Sequence, residues 1–301
     1  RISPEAPVPI VSVNKRENRL GGAANVALNV KALGANPILC SVVGHDQKGQ
    51  EFIELLQKQK MDTQGIVQSA ERITTTKFRV IGNKVQMLRV DEEVDLPLNE
   101  KDKVEFLTRF DKIIETGKVD VIIFQDYDKG LINEHLINMV VSKANDLKIP
   151  VAVDPKKRNF IAYKNVTLFK PNLKELKEGL NIEFNSKAAD ELNRAADKLK
   201  SLLKTEIVLL TLSEDGVFID YKDNGEKSTK IIPSNVRSIS DVSGAGDTVI
   251  SVAALCLALK TDPAVLAAVS NLAGGLVCEK VGVVPVDKQR LLKEVIKLIR
   301  E

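Results

Sequence analysis

Val119-Asp120-Val121-Ile122-Ile123-Phe124, then Glu134–Leu147 (EHLINMVVSKANDL), then Pro150-Val151-Ala152-Val153-Asp154 form one unit. The two outer runs are aliphatic at almost every position. A strand with one wet face would alternate, so these runs suit strands buried on both faces of a parallel sheet. The middle segment places apolar residues every three or four positions, as a helix covering that sheet does. The pattern recurs downstream, where Val166–Phe169 (VTLF) and Ile207–Thr211 (IVLLT) flank the helical stretch Ala188–Leu203. Strand and helix alternating in this way predict an α/β fold, a doubly wound and mostly parallel sheet flanked by helices. Three more helical stretches follow, Ala245–Leu259, Pro263–Lys280 and Lys288–Arg300, the second opened by Asp262 as N-cap and Pro263 at N1.

Upstream, the pattern changes. Pro4, Pro7 and Pro9 punctuate the first ten residues, which restricts any strand there to an edge or an irregular one. Thr74–Ile81 and Val85–Val90 alternate polar with apolar around Gly82-Asn83-Lys84 and read as a half-exposed antiparallel hairpin. Gly21–Leu33 reads as a helix rich in small residues, so something packs closely on it. The expected organisation is one domain over residues 1–301 with a small β-sheet lid drawn from segments within about 1–20 and 62–92.

Composition narrows the function. The 301 residues carry 44 Lys+Arg against 41 Asp+Glu, a net charge of +3, which gives no concentrated basic face for nucleic acid. The longest apolar run, Val249–Leu259, is broken by Ser251 and falls short of the roughly 20 residues a membrane span needs, so no membrane partner is expected. Cys40, Cys256 and Cys278 are far apart in apolar stretches and read as reduced core residues of a cytoplasmic protein. His45 and His135 form no metal-ligand spacing and no His-x-x-His pair of the nucleotidyl-transfer type.

The segment richest in chemistry is Asp241-Val242-Ser243-Gly244-Ala245-Gly246-Asp247-Thr248. A Gly-Ala-Gly turn opening into an apolar helix lets consecutive N–H groups face outward at the positive end of the helix dipole, an anion hole. A carboxylate in that first turn, Asp247, can accept a proton from a hydroxyl beside a transferring phosphoryl group. Taken alone, the turn more simply starts a helix that Asp247 caps.

With its neighbours the segment resembles the signature of the ribokinase-like carbohydrate kinases. Gly21-Gly22-Ala23-Ala24-Asn25 matches that family's Gly-Gly motif, and Asn172-Leu173-Lys174-Glu175 its Asn-x-x-Glu motif, in family order. Thr76-Lys77-x-Arg79, Leu88-Arg89-x-Asp91 and Asp126-Tyr127-x-Lys129-Gly130 are similar to the branch that phosphorylates D-glycero-D-manno-heptose 7-phosphate at C1, a step toward ADP-heptose for lipopolysaccharide core. The resemblance implies ATP, Mg²⁺ and a monovalent cation such as K⁺, a sugar-phosphate substrate, and a homodimer joined through the lid. It implies Asp247 as catalytic base and Gly244, Ala245 and Gly246 as the anion hole. Asn172, Leu173, Lys174, Glu175, Thr211, Ser213, Gly216 and Asn271 are implied on the ATP side. Glu175 would reach Mg²⁺ through water, and Asp241 a monovalent cation. Gly21, Gly22, Asn25, Lys77, Arg79, Arg89, Asp126 and Lys129 are implied around the sugar.

Other readings stand beside these. Gly21-Gly22 also suits tight helix packing, and Glu175 a solvated carboxylate at a helix start. Lys77 and Arg79, two apart and so on one face, suit either a distal phosphate or an ordinary charged sheet face. Lys156-Lys157-Arg158 is most simply a solvated loop, with a nucleotide-facing role as the alternative. The rival functions are a kinase for another phosphorylated sugar, such as fructose 6-phosphate, and a sugar-phosphate-binding regulator without turnover. Because the helix Gly21–Leu33 needs a sheet beneath it, and such kinases open on a core strand carrying a Gly-Asp pair, a strand preceding Arg1 is also expected.

Overall fold

The aliphatic runs pair side by side in the computed structural model, which describes residue 5 and residues 11–82, 85–234 and 238–300. Along the chain come α1 (Ala23–Ala32), β1 (Ser41–Gly44), α2 (Gln47–Lys58), β2 (Ile66–Ser69), β3 (Thr76–Gly82), β4 (Val85–Glu92) and α3 (Glu100–Glu115). Then follow β5 (Ile122–Gln125), α4 (Glu134–Asp146), β6 (Val151–Asp154), β7 (Leu168–Phe169), α5 (Leu173–Leu180), α6 (Ala189–Leu203) and β8 (Ile207–Thr211). The chain continues through β9 (Val217–Asp223), β10 (Glu226–Ile232), α7 (Ala245–Ala258), α8 (Pro263–Cys278) and α9 (Lys288–Arg300).

The main sheet has the order β10-β9-β8-β7-β6-β5. Its four strands β5 to β8 run parallel, and β9 and β10 add an antiparallel edge. Successive residues of the buried strands feed opposite faces. Val151, Val153, Val208 and Leu210 join the cluster under α3, α4, α5 and α6, whereas Ala152, Ile207 and Leu209 join the one under α7 and α8. Both faces are therefore dry, which explains the unbroken aliphatic runs. Each fully buried Val or Leu in them contributes about 1.5–3 kcal/mol. The edge hairpin β9–β10 was not foreseen, because its outer strand carries Glu226, Lys227, Ser228 and Lys230 in place of an aliphatic run.

The hairpin β3–β4 forms a sheet of its own with Lys77 opposite Asp91, Phe78 opposite Val90 and Arg79 opposite Arg89. The turn residues Asn83 and Lys84 lie outside the described residues, as do Pro4, Pro7 and Pro9, while 11–20 form no strand. Two devices fix the root of this lid. The Arg72 guanidinium donates to the carbonyls of Val94 (2.8 Å), Leu96 (2.6 Å) and Lys129 (2.6 Å), tying both lid strands to the loop after β5. Asp46 caps α2 through the Gly49 N–H and accepts from the Thr74 N–H and hydroxyl. Burial alone would raise Asp46, but these donors outweigh it and hold the carboxyl below its ordinary value. Among the described residues, no helix is long and apolar enough to cross a membrane.

Candidate active site

The site lies at the carboxyl ends of β5, β6 and β7, where open α/β sheets bind ligands. Its centre is the start of α7. Gly244 is the N-cap at φ 84°, ψ 1°, a left-handed conformation that only glycine adopts freely. A Cβ there would also stand 3.1 Å from Asn25 Nδ2. Asp241 braces the turn, one oxygen accepting from the Ser243 N–H and the other from the Gly282 N–H, both at 2.9 Å. These backbone donors hold its carboxyl below the ordinary value, and the charge of Arg79 on the lid adds to the effect.

Asp247 follows in the first turn of α7. Its Oδ2 accepts from Asn25 Nδ2 at 2.7 Å, and its Oδ1 from Tyr127 Oη at 2.9 Å and Gln125 Nε2 at 3.3 Å. Burial pushes the Asp247 carboxyl up, opposed by Asn25, Tyr127 and the charges of Lys170 and Lys156. Asn25 reaches Asp247 because α1 packs against α7 through a polar seam. Asn29, one turn on, donates to the Asn25 carbonyl, and its own oxygen accepts from the Thr248 hydroxyl and the Val286 N–H. Asn25 Oδ1 is buried with no donor among the described residues. Gly22, at φ 56°, caps α1 and packs under the Tyr127 ring, whose Cε2 would lie 3.5 Å from a Cβ. Gly21 faces open space.

Behind the anion turn sits a buried ion pair, Lys170 Nζ with Asp154 Oδ2 at 2.9 Å. A Cβ on Gly246 would be 3.7 Å from that ammonium, so Lys170 adds a full positive charge beneath the turn. Sequence reasoning missed both residues. Their available signal was a lysine and an aspartate ending strands read as apolar, since a buried charge at a strand end needs a partner. Burial pushes the Asp154 carboxyl up, and Lys170 opposes this.

Asn172 and Glu175 form a capping box on α5: Asn172 accepts from the Glu175 N–H at 2.8 Å, and Glu175 from the Asn172 N–H at 2.9 Å. The other Glu175 oxygen pairs with Lys156, so that loop is turned inward, not simply solvated. Leu173 packs on the core, and Lys174 is exposed beside Glu178. Thr211 bridges to Asn172 across the sheet end. Ser213 is exposed, Gly216 closes the turn into β9, and Asn271 donates to the carbonyls of Ile232 (3.4 Å) and Pro233 (2.8 Å).

Two expectations change in detail. Asp126 does not face the cleft. It is 1 % exposed, and its carboxylate accepts from Asn159 (2.9 Å), Tyr163 (2.8 Å) and the Asp128 N–H (2.9 Å), so it braces the loop that carries Tyr127. The lid cations are not bare. Lys77 pairs with Asp91 and Glu93, Arg89 with Asp91, and Lys129 with Glu93. Arg79 and Arg89 nonetheless stand directly opposite one another. Among the described residues no cluster of three or more His, Cys, Asp or Glu could hold a metal.

A glycine-bounded anion turn, a carboxylate in the following helical turn and a lysine behind it are the parts of a phosphoryl-transfer site. Comparison with known proteins agrees: residues 2–289 match the family model described as pfkB family carbohydrate kinase. The chain belongs to the pfkB carbohydrate kinases. This kinase is 36% identical over 282 residues to the bifunctional protein HldE of Wolinella succinogenes, covering 94% of this chain and 58% of that one. It is also 36% identical over 296 residues to HldE of Methylobacillus flagellatus, covering 98% and 59%. It thus spans a little over half the length of the curated relatives it matches. The ribokinase-like fold is shared with phosphofructokinase-2 of Escherichia coli, solved with potassium (TM-score 0.76, 19% identity, 92% of this chain and 87% of that one). It is shared as well with Arabidopsis thaliana ribokinase, solved with ribose and ATP (TM-score 0.71, 16% identity, 94% and 90%).

Proposed function

We propose that this sugar kinase transfers the γ-phosphoryl group of ATP to the C1 hydroxyl of D-glycero-D-manno-heptose 7-phosphate. The observation that carries the reading is Asp247, held at the N-terminus of α7 by Asn25 and Tyr127 directly after the Gly244-Ala245-Gly246 turn. Support for the heptose comes from the HldE relatives and from the lid and Asp126-Tyr127 motifs. The hydroxyl proton passes to Asp247, the sugar oxygen bonds to phosphorus, and the bond to the β-phosphate oxygen breaks to release ADP. The turn's N–H groups and Lys170 meet the charge on the transferring group. The orphaned Asn25 Oδ1 is an acceptor for a second sugar hydroxyl.

Mg²⁺ would spread the charge on the phosphates. Because both Glu175 oxygens are engaged, Glu175 fits a contact to the ion's waters better than a direct bond. Asn172 and Thr211 meet at the sheet end beside it, a position suited to the nucleotide. Both Asp241 oxygens already take loop N–H groups, so its part in any monovalent-cation site would be to shape the loop. We further propose a homodimer formed through the lid, in the cytoplasm where ATP is available.

The test is ATP consumption against a panel of sugar phosphates that includes fructose 6-phosphate, run on the wild type and on Asp247→Asn. The heptose 7-phosphate is expected to give the highest kcat/KM. Loss of the proton acceptor with shape retained is expected to lower kcat by roughly 10²–10⁴-fold, with ATP affinity little changed. Near-normal kcat in D247N would remove Asp247 from the base role, and a better substrate in the panel would replace the heptose.

A further inference from the structure

A carboxylate offers about four lone-pair positions, two on each oxygen. On Asp247, Oδ1 takes two donors, the Tyr127 hydroxyl at 2.9 Å and the Gln125 amide at 3.3 Å, while Oδ2 takes one, the Asn25 amide at 2.7 Å. Among the described residues, this leaves one position, on Oδ2, for a substrate hydroxyl. We propose that Tyr127 and Gln125 close off Oδ1 and lock the carboxylate rotor, so that Oδ2 is the atom that takes the sugar hydroxyl's proton and Tyr127 is a positioning residue of the reaction. This rests on Asp247 acting as the base.

Each holder is itself held. The Tyr127 ring lies against Gly22, and the loop carrying it is braced by the buried Asp126. Gln125 ends β5, and its amide also reaches Asp154 Oδ2 at 3.4 Å, whose partner is Lys170. Turned over, the Gln125 amide would aim its oxygen at two carboxylates, so the N–H side faces them. The Tyr127 hydroxyl has only one role toward a carboxylate, that of donor, and burial beside Asp247 raises the phenol so that it keeps its proton. The groups facing Asp247 are Asn25 from α1, Gln125 and Tyr127 from β5 and its loop, Lys156 after β6 and Lys170 after β7. Of these, Tyr127 alone combines a short bond to Oδ1 with a side chain whose hydroxyl can be deleted without moving its ring.

In the reaction, the O–H bond of the sugar breaks toward Oδ2 while the sugar oxygen bonds to the γ-phosphorus and the bond from that phosphorus to the β-phosphate oxygen breaks to release ADP. Asp247 ends neutral until its proton passes to solvent after product release. Tyr127 and Gln125 stay protonated donors on Oδ1 throughout, stabilising the ionised base and its orientation.

Steady-state kinetics against pH, with the panel sugar phosphate of highest turnover, test this on wild type, Tyr127→Phe, Gln125→Met and D247N. Thermal melts confirm that each variant is folded. Y127F is expected to lose about ten-fold in kcat with KM for both substrates within about two-fold. The acidic limb of its kcat profile is expected to move to higher pH, because a bond that favours the ionised carboxylate is gone. Q125M is expected to move the same way by less. Wild-type kcat with an unshifted limb in both variants would overturn the proposal, as would a rise in sugar KM at unchanged kcat, which would make Tyr127 a sugar contact. If D247N keeps turnover, the base reading fails and this inference with it. If D247N is inactive while Y127F and Q125M match wild type, this inference alone fails.

Discussion

Gly244 concentrates two demands in one position: a left-handed backbone and room for Asn25 beside it. Gly244→Ala would add a Cβ strained by about 1–2 kcal/mol and press on the amide that orients Asp247. The expected result is a Tm lowered by a few degrees and a larger fall in kcat than the stability loss explains. Equal kcat at saturating substrate would show that the turn tolerates a side chain. Burial pushes the Asp247 carboxyl up. A base must be ionised, so turnover is expected to be lost as pH falls through that raised value, at a higher pH than an ordinary aspartate would give. Residue identities at the centre were legible in the sequence, because Gly-Ala-Gly-Asp and Gly-Gly lie in contiguous motifs. Lys170, Asp154 and Gln125 were not, since their meaning arises only when three parallel strands end at one place.

At one cross-strand position the lid hairpin sets like charge against like, with Arg79 directly opposite Arg89. Opposed like charges destabilise a sheet, and Asp91 and Glu93 offset only part of this, through Lys77 and Arg89. An anionic group bound between the two guanidiniums would complete the balance. Arg89→Ala is therefore expected to raise KM for the sugar phosphate by about ten-fold or more, at about 1.5–3 kcal/mol for a charge-assisted bond, with KM for ATP unchanged and no loss of thermal stability. Equal weakening toward both substrates would make the pair structural. The hairpin and the parallel strands could be read because their patterns are clean. The helices α2 and α3 and the short strands β1 and β2 could not, and the four residues each of β1 and β2 carry no measurable period. The Asn99 cap of α3 was present and went unread.

At the scale of the whole molecule, the apolar side of the lid is an uncovered surface among the described residues. Phe78 is 40% exposed, Leu88 55% and Val90 49%, and Phe78 and Val90 are direct cross-strand neighbours. A two-stranded sheet is marginal alone, and this apolar face can be covered by the same face of a second copy, as the proposed dimer requires. Light scattering is expected to give a dimer mass across micromolar concentrations, and Phe78→Ser with Val90→Ser to shift it toward monomer. A monomer throughout would count against the pairing.

The bond from Asn25 to Asp247 joins residues 222 positions apart, and that from Tyr127 to Asp247 spans 120. Such contacts are slow to form, because chain closure costs entropy before it returns any energy. On the ribosome, the strands β5 to β8 and their helices can assemble while α7 is still unmade. The emerging polypeptide therefore holds a nearly complete scaffold with no working centre. Synthesis itself thus delays the moment at which a nascent chain can begin to spend the cell's ATP.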